Sequence, residues 1–182
     1  MDTSLDKQAP AIDTKQKLID YTTAEWNALV AHVDDLSDGQ WTSMKDAAGW
    51  SVKDHVAHVT KSDRAVIECL RNNVPMQETL GVSDTAWSDD SFNPMNEEIR
   101  QHVVDDSVQT VKAERDSTWT DLVSLLGELS EEQLTKSGAE VGLAMGERPL
   151  PEPVLQALVD YLGAHYAEHL RCIQVIGEGT RA

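Results

Sequence analysis

Cysteine is scarce in this 182-residue sequence, which contains only Cys69 and Cys172. Two cysteines do not build the disulfide framework of a small secreted protein. The first ten residues also lack the basic and apolar regions of a secretory signal peptide. The sequence therefore predicts a reduced, cytoplasmic protein.

Long apolar runs and positive charges are scarce as well. No apolar run approaches the roughly 20 residues that a transmembrane helix needs, so no membrane partner is expected. The chain has 15 lysines and arginines against 32 aspartates and glutamates, a formal net charge of −17. Because phosphates must be met by lysine and arginine, this balance argues against nucleic acid and anionic membrane surfaces as partners. We expect the acidic excess to keep exposed faces solvated.

Apolar residues make up 40% of the sequence, which is enough for a substantial core. Their spacing predicts four helices. These cover roughly residues 12–36, 52–72, 93–128 and 152–176. Since no long segment alternates like a strand, the predicted fold class is all-α, a four-helix bundle. Residues 1–11 are predicted to be a flexible N-terminal tail, and 12–182 a single domain.

Two helix starts are marked in the sequence. Ser51 is a natural N-cap for the second helix, and Asp54 stands three residues later, close to a capping box. Asn93 is predicted to cap the third helix, with Pro94 at its first helical position.

Two long loops, at 73–93 and 138–150, are predicted to form the mouth of a site. Long loops in small domains often cover a site. Trp87 and Phe92 are apolar residues in the otherwise acidic first loop. They either cover a ligand or simply pack on a helix.

A short motif hints at an internal repeat. Residues 36–42 (LSDGQWT) follow the first helix, and residues 129–135 (LSEEQLT) follow the third. Each places a serine where it can cap a short helical turn. The two motifs indicate either two related helix pairs or two ordinary capping turns.

The most informative segment is His165-Tyr-Ala-Glu-His169, in the last predicted helix. Histidines at i and i+4 lie on one helix face and can bind one divalent metal ion. They belong to a 3-4 spaced seam that should face the bundle interior. The seam consists of Leu155, Leu158, Leu162, His165, His169, Cys172 and Ile176. Buried imidazoles need a polar partner, and a metal ion would be one.

The second helix offers a matching stripe of small and polar residues beside its valines. The stripe consists of His55, His58, Ser62, Ala65 and Cys69. His58 is far enough into the helix to face the other two histidines. His55 is nearer the helix end and is either a neighbour of the ligands or exposed to solvent. The pattern therefore favours an open site of three histidines, His58, His165 and His169.

Other interpretations of these residues stay open. An i,i+4 histidine pair arises often by chance, and buried histidines often bond a carbonyl group. Glu168 is a candidate base but lies off the seam, where solvation is expected. Cys172 is either an adjacent ligand or a small buried apolar residue. His32 and His102 are isolated.

The segment from Trp50 to His58 (WSVKDHVAH), an H-x-x-x-H pair on a final helix and an LSxxQW turn resemble the DinB-like superfamily. This superfamily includes the N-terminal domain of mycothiol-dependent maleylpyruvate isomerases. The resemblance covers residues 12–176 and implies a four-helix bundle with a divalent metal on His58, His165 and His169. In the isomerase branch the first residue of the pair is often glutamate, so the histidine here points to the wider DinB branch.

The resemblance also implies a function and an assembly. Family members include transferases that use low-molecular-weight thiols, so we expect a metal-dependent thiol S-transferase with a small-molecule substrate. Zinc, nickel and iron all accept imidazole. The alternatives are a metal-dependent hydrolase, with His55 or Glu168 as the base, and a non-catalytic metal- or small-molecule-binding stress protein. Dimers are common in the family, and Trp41 and Trp119 are surface candidates for a homodimer interface.

Overall fold

The computed structural model describes residues 11–178, and helices make up most of them. In chain order the elements are α1 (Lys15–Asp34), α2 (Asp38–Ser43), α3 (Val52–Asn72), α4 (Met76–Leu80), α5 (Asp84–Trp87), α6 (Asn93–His102), α7 (Val108–Glu128), α8 (Glu131–Thr135), a 3₁₀ turn (Gly138–Val141), β1 (Ala144–Met145), β2 (Arg148–Pro149), α9 (Val154–Leu158), a π-helix (Val159–Ala164) and α10 (His165–Glu178). The strands form a two-residue antiparallel hairpin. The all-α class is confirmed, with short helices added between the long ones that were predicted.

Helix α3 is the centre of the fold and packs against α7, α10, α4 and α6. Its bounds match the prediction for residues 52–72. The Ser51 side chain accepts from the Asp54 backbone N–H, and the Asp54 carboxylate accepts from the Ser51 backbone N–H at 2.8 Å. This capping box fixes where the helix begins. Residues 51–60 are all buried, so α3 presents side chains to neighbours on every side.

The predicted third helix, at 93–128, is in fact two helices, α6 and α7. The Lys53 ammonium donates to the carbonyl oxygens of Val103 at 3.2 Å, Val104 at 2.7 Å and Asp106 at 2.8 Å. These carbonyl groups therefore have hydrogen-bond partners although they lie outside a helix. Ser107 then caps the next helix, α7. Val104, predicted as part of an apolar stripe, is 45% exposed.

The start of α6 and the first long loop also differ from the prediction. Asn93 is the first helical residue and not the cap; Phe92 precedes it with a left-handed φ of 59°. Pro94 is the second helical residue, one position later than predicted, and still lies in the first turn. The loop at 73–93 contains two short helices, α4 and α5.

The final predicted helix is continuous but contains a π-helix, Val159–Ala164. The wider turn rotates the residues after it relative to those before it. The buried stripe therefore passes through Tyr166 and Ile173, while Leu155 and Cys172 of the predicted seam are only half-buried.

The two LSxxQ motifs adopt the same local structure. Ser37 and Ser130 cap α2 and α8, each with a complete capping box that uses Gln40 or Gln133. The prediction that both serines cap short helical turns is confirmed. Whether the motifs mark an internal repeat stays a prediction.

The surface proposed for self-association was wrong in part. Trp41 is 0% exposed, and its indole N–H donates to the Val33 carbonyl at 2.9 Å. Trp119 is half-buried and stacks on Trp26 with ring centroids 4.6 Å apart. Both aromatic rings contribute to packing within the chain.

Residues 1–10 of the predicted tail lie outside the described residues, and the single domain at 12–182 stays a prediction. Within residues 11–178, no helix combines the length and apolar character needed to cross a bilayer.

Candidate metal centre

The structure brings three of the predicted residues together between α3 and α10. One ring nitrogen from each of His58, His165 and His169 lies within 4.8 Å of the others. The ring centroids are 5.2 Å apart for His58 and His165, and 4.6 Å apart for His165 and His169. This proximity follows from the i,i+4 spacing on α10 and from the packing of α3 against it.

Burial keeps all three imidazoles neutral. It lowers the pKa of His165 to about 4, and it lowers the pKa values of His58 and His169 well below their usual range. The neighbouring histidines add to the effect at His58 and His169, because one positive ring opposes another. At neutral pH the rings therefore carry free lone pairs, which is the form that binds a metal.

Two ring nitrogens in this group have no hydrogen-bond partner. The Nδ1 atoms of His58 and His165 are buried and unpaired. Buried polar atoms without a partner are rare in folded proteins because each costs about 1–3 kcal/mol. A divalent metal on these rings would supply the missing partner or fix the tautomer, so the donor set fits such an ion.

His55 and Asp46 form a chain that orients the third ligand. His55 Nε2 lies 3.2 Å from Asp46 Oδ2, and His55 Nδ1 lies 2.9 Å from His169 Nδ1. Since the carboxylate only accepts, His55 Nε2 is the donor and its Nδ1 the acceptor. His169 must then donate from Nδ1, which leaves the Nε2 lone pair of His169 for a metal.

The chain is itself anchored in the connector before α3. Asp46 Oδ1 accepts from the backbone N–H groups of Ala48 at 2.9 Å and Trp50 at 2.8 Å. The Trp50 ring lies against His55 and His58, with centroids 5.3 and 5.4 Å away. His55 is only 4% exposed, so of the two predicted roles the structure favours that of a buried neighbour.

We predict that Asp46→Asn weakens binding of a divalent metal by about 10- to 100-fold. The backbone N–H groups of Ala48 and Trp50 keep the asparagine amide oxygen in place, so its NH₂ group faces His55 Nε2. His55 must then accept at Nε2 and donate from Nδ1 to His169. The His169 proton therefore moves to Nε2, the nitrogen that would bind the metal. Competition titration with a chromophoric chelator measures the affinity. Asp105→Asn removes an exposed carboxylate elsewhere and should change nothing. Equal affinities for Asp46→Asn and wild type would contradict this orienting role.

A cavity of about 440 Å³ opens beside the three histidines. Its walls come from α3, the segments at 76–99, the β-hairpin and the π-helix–α10 segment. The lining residues are His58, Ser62, Met76, Leu80, Trp87, Phe92, Met95, Asn96, Ile99, Ala144, Met145, Gly146, Asp160, Tyr161, Ala164, His165, Glu168 and His169. Trp87 and Phe92, together with residues 144–146, come from the two loops predicted to form the mouth.

The other candidate residues lie outside the histidine group. Glu168 is exposed but lines the cavity. Cys172 is half-buried and Cys69 bonds the Val141 carbonyl at 3.4 Å; neither belongs to the histidine group. His32 and His102 lie outside the cavity lining and the group, within the part of the chain that the structure describes.

Two polar contacts that hold the π-helix and α10 in place were not predicted from the sequence. Tyr166 donates from its hydroxyl to Asp63 Oδ2 at 2.8 Å, a fully buried link to α3. Burial raises the pKa of Asp63 well above its ordinary value. Tyr161 donates to the Ala144 carbonyl at 2.5 Å and ties the π-helix to the β-hairpin. No sequence pattern signals these pairs, since the partners are 103 and 17 residues apart.

Comparison with known proteins decides the family. A family model described as the DinB superfamily matches residues 21–173, most of the chain. The chain belongs to the DinB superfamily. The resemblance inferred from the residue motifs is thus confirmed, and the three-histidine cluster lies within the matched range.

Two solved structures share this DinB-superfamily fold. A Streptococcus pneumoniae protein is 15% identical with a TM-score of 0.66, and 91% of each chain is covered. An uncharacterised protein from Escherichia coli UTI89 is 13% identical with a TM-score of 0.67, over 92% of this chain and 95% of that one. At these identities the likeness concerns the fold alone. No curated protein matches the sequence.

Proposed function

We propose that this chain is a metal-dependent enzyme of small-molecule thiol chemistry, a thiol S-transferase. The observation that carries the proposal is the neutral three-histidine group in the wall of a largely apolar cavity. Three neutral ligands would leave a bound ion with its full charge and with open coordination positions, which is typical of catalytic sites.

In this proposal His58, His165 and His169 hold the metal, and His55 with Asp46 orients His169. A divalent ion held there would lower the pKa of a thiol, which makes the sulfur a better nucleophile at neutral pH. Zinc, nickel and ferrous iron all suit imidazole ligands. The transfer forms a bond from sulfur to the electrophilic carbon. The leaving group departs with its electron pair, and the thiol proton passes to solvent.

The rest of the cavity positions the reactants. Met76, Leu80, Trp87 and Met95 supply apolar walls that hold an organic electrophile and exclude water. Methionine side chains adapt to ligands of different shape. Ser62 leaves room beside the metal site because its hydroxyl turns back to the His58 carbonyl at 3.0 Å.

An assay with metal-loaded protein tests the proposal. We expect conjugation of small electrophiles with at least one low-molecular-weight thiol from a panel that includes mycothiol, bacillithiol and glutathione, and its loss in His165→Ala. His102→Ala, a histidine outside the cavity, should keep the wild-type rate. Equal rates in His165→Ala and wild type would contradict the assignment.

The runner-up function is a metal-dependent hydrolase. Glu168 favours it, because this carboxylate lines the cavity next to His169 and can accept a proton from water. His55 is the other candidate base, although its bonds to Asp46 and His169 commit both of its nitrogens. Metal-dependent product formation without any thiol would support the hydrolase. Inactivity with and without thiols, across a broad set of electrophiles, would favour a non-catalytic metal- or small-molecule-binding stress protein.

A homodimer and a cytoplasmic location stay predictions from the family resemblance and the composition. Trp41, one of the two predicted interface residues, is buried. The exposed large apolar side chains on the described residues are Val104, Val123, Met145 and Val175. Light scattering that detects only a 20.1 kDa species would reject the dimer.

A further inference from the structure

The charged side chains of the cavity wall are of one sign. Asp160 and Glu168 both line the cavity, on the segment that carries His165 and His169. The three histidines are the proposed metal ligands and would bind the ion as neutral imidazoles. Of the residues that the structure describes, no lysine or arginine lines the cavity.

Arg148, on the β-hairpin that contributes to the cavity wall, is already paired. Arg148 stacks over the Phe92 ring, with its guanidinium carbon 5.7 Å from the ring centroid, and forms an ion pair with Asp90. Both members of the pair are exposed, so their charges largely cancel towards a ligand. The remaining lining is apolar apart from uncharged polar groups of the three histidines, Ser62, Asn96 and Tyr161.

We propose that this cavity selects neutral or cationic thiols and rejects thiols that carry carboxylate or sulfonate groups. A thiol whose sulfur lies at the three histidines must place the rest of its structure against Asp160, Glu168 and the apolar walls. The coordinated sulfur would offset part of the metal's charge, so an anionic group in the rest of the cavity faces two like charges without a basic side chain, whereas a cationic group gains two opposite charges. The inference rests on the proposed function and names its substrate class.

The test uses three thiols that share the HS–CH₂–CH₂ unit and differ in charge: thiocholine, β-mercaptoethanol and mercaptoethanesulfonate, of which the first and last are also similar in size. The quaternary ammonium of thiocholine does not coordinate a metal, so its effect is electrostatic. Cobalt-loaded protein is titrated with each thiol, and the near-ultraviolet charge-transfer band of a thiol on cobalt gives Kd. Filtration checks that the cobalt stays with the protein.

We expect Kd for mercaptoethanesulfonate to exceed that for thiocholine by about tenfold or more at low salt, with β-mercaptoethanol in between. Because the thiols differ in intrinsic acidity, the decisive quantity is the change in this ratio between variants. Asp160→Asn combined with Glu168→Gln should lower the ratio at least about threefold. The matched control, Asp105→Asn with Glu131→Gln, removes two exposed charges outside the cavity and should preserve it.

The outcomes separate this inference from the proposed function. If all three thiols bind and the ratio is the same in wild type and in the cavity variant, the charge selection is wrong while the thiol site stands. If cobalt binds but no thiol produces the band, the proposed thiol chemistry fails and the inference fails with it.

Discussion

Alanine at His58, His165 or His169 is expected to lower the affinity for a divalent metal by about 100-fold or more. Each substitution removes one of three ligands, and water replaces it poorly in an apolar surrounding. A 100-fold loss corresponds to about 2.7 kcal/mol of binding free energy. Competition titration of the purified variants with a chromophoric chelator measures it, with circular dichroism to check that each variant is folded.

The matched controls for these variants are the two histidines outside the cluster. His32→Ala and His102→Ala remove an imidazole from the same chain without touching the site. Both should retain wild-type affinity. Equal losses in all five variants would indicate nonspecific binding by histidine side chains, and full affinity in any one cluster variant would remove that residue from the ligand set.

Gly163→Ala is expected to destabilise the protein by about 1–3 kcal/mol. A Cβ atom at Gly163 would lie 2.3 Å from Cε1 and 2.6 Å from Cδ1 of the Tyr21 ring, so the ring or the helix must move. The helical preference for alanine acts in the opposite direction and is worth about 1 kcal/mol or less, which is smaller than the expected clash. Gly163 lies in the π-helix directly before His165, where α1 packs against it.

Gly127→Ala in α7 is expected to have the opposite effect on the stability of the protein. Nothing lies within 4 Å of a Cβ atom at that position, so the helical preference acts alone and should raise stability by up to about 1 kcal/mol. Thermal unfolding of both variants without metal measures the difference, since bound metal would add its own stabilisation. An increase in Tm for Gly163→Ala would contradict the close packing of Tyr21 on the π-helix.

The features that the sequence could predict are those set by local spacing. The bounds of α3 follow from Ser51 and its capping box, and the proximity of His165 and His169 follows from one helical turn. His58 was placed correctly beside them because two facing polar stripes left few other arrangements.

The features that the sequence could not predict depend on distant partners. Lys53 satisfies carbonyl groups about 50 residues away and so separates α6 from α7. The π-helix contains Gly163, which lies against the Tyr21 ring, and no periodicity reveals this contact between distant segments. The role of Asp46 was missed entirely, because its contact with His55 appears only once the connector folds back.

The most direct test of the account is X-ray absorption at the metal edge of protein loaded with one equivalent of zinc. The account predicts three imidazole nitrogen ligands at about 2.0–2.1 Å and at least one further light-atom ligand at an open position. A sulfur shell at about 2.3 Å would assign a cysteine to the site and contradict it. So would fewer than three imidazoles in the spectrum.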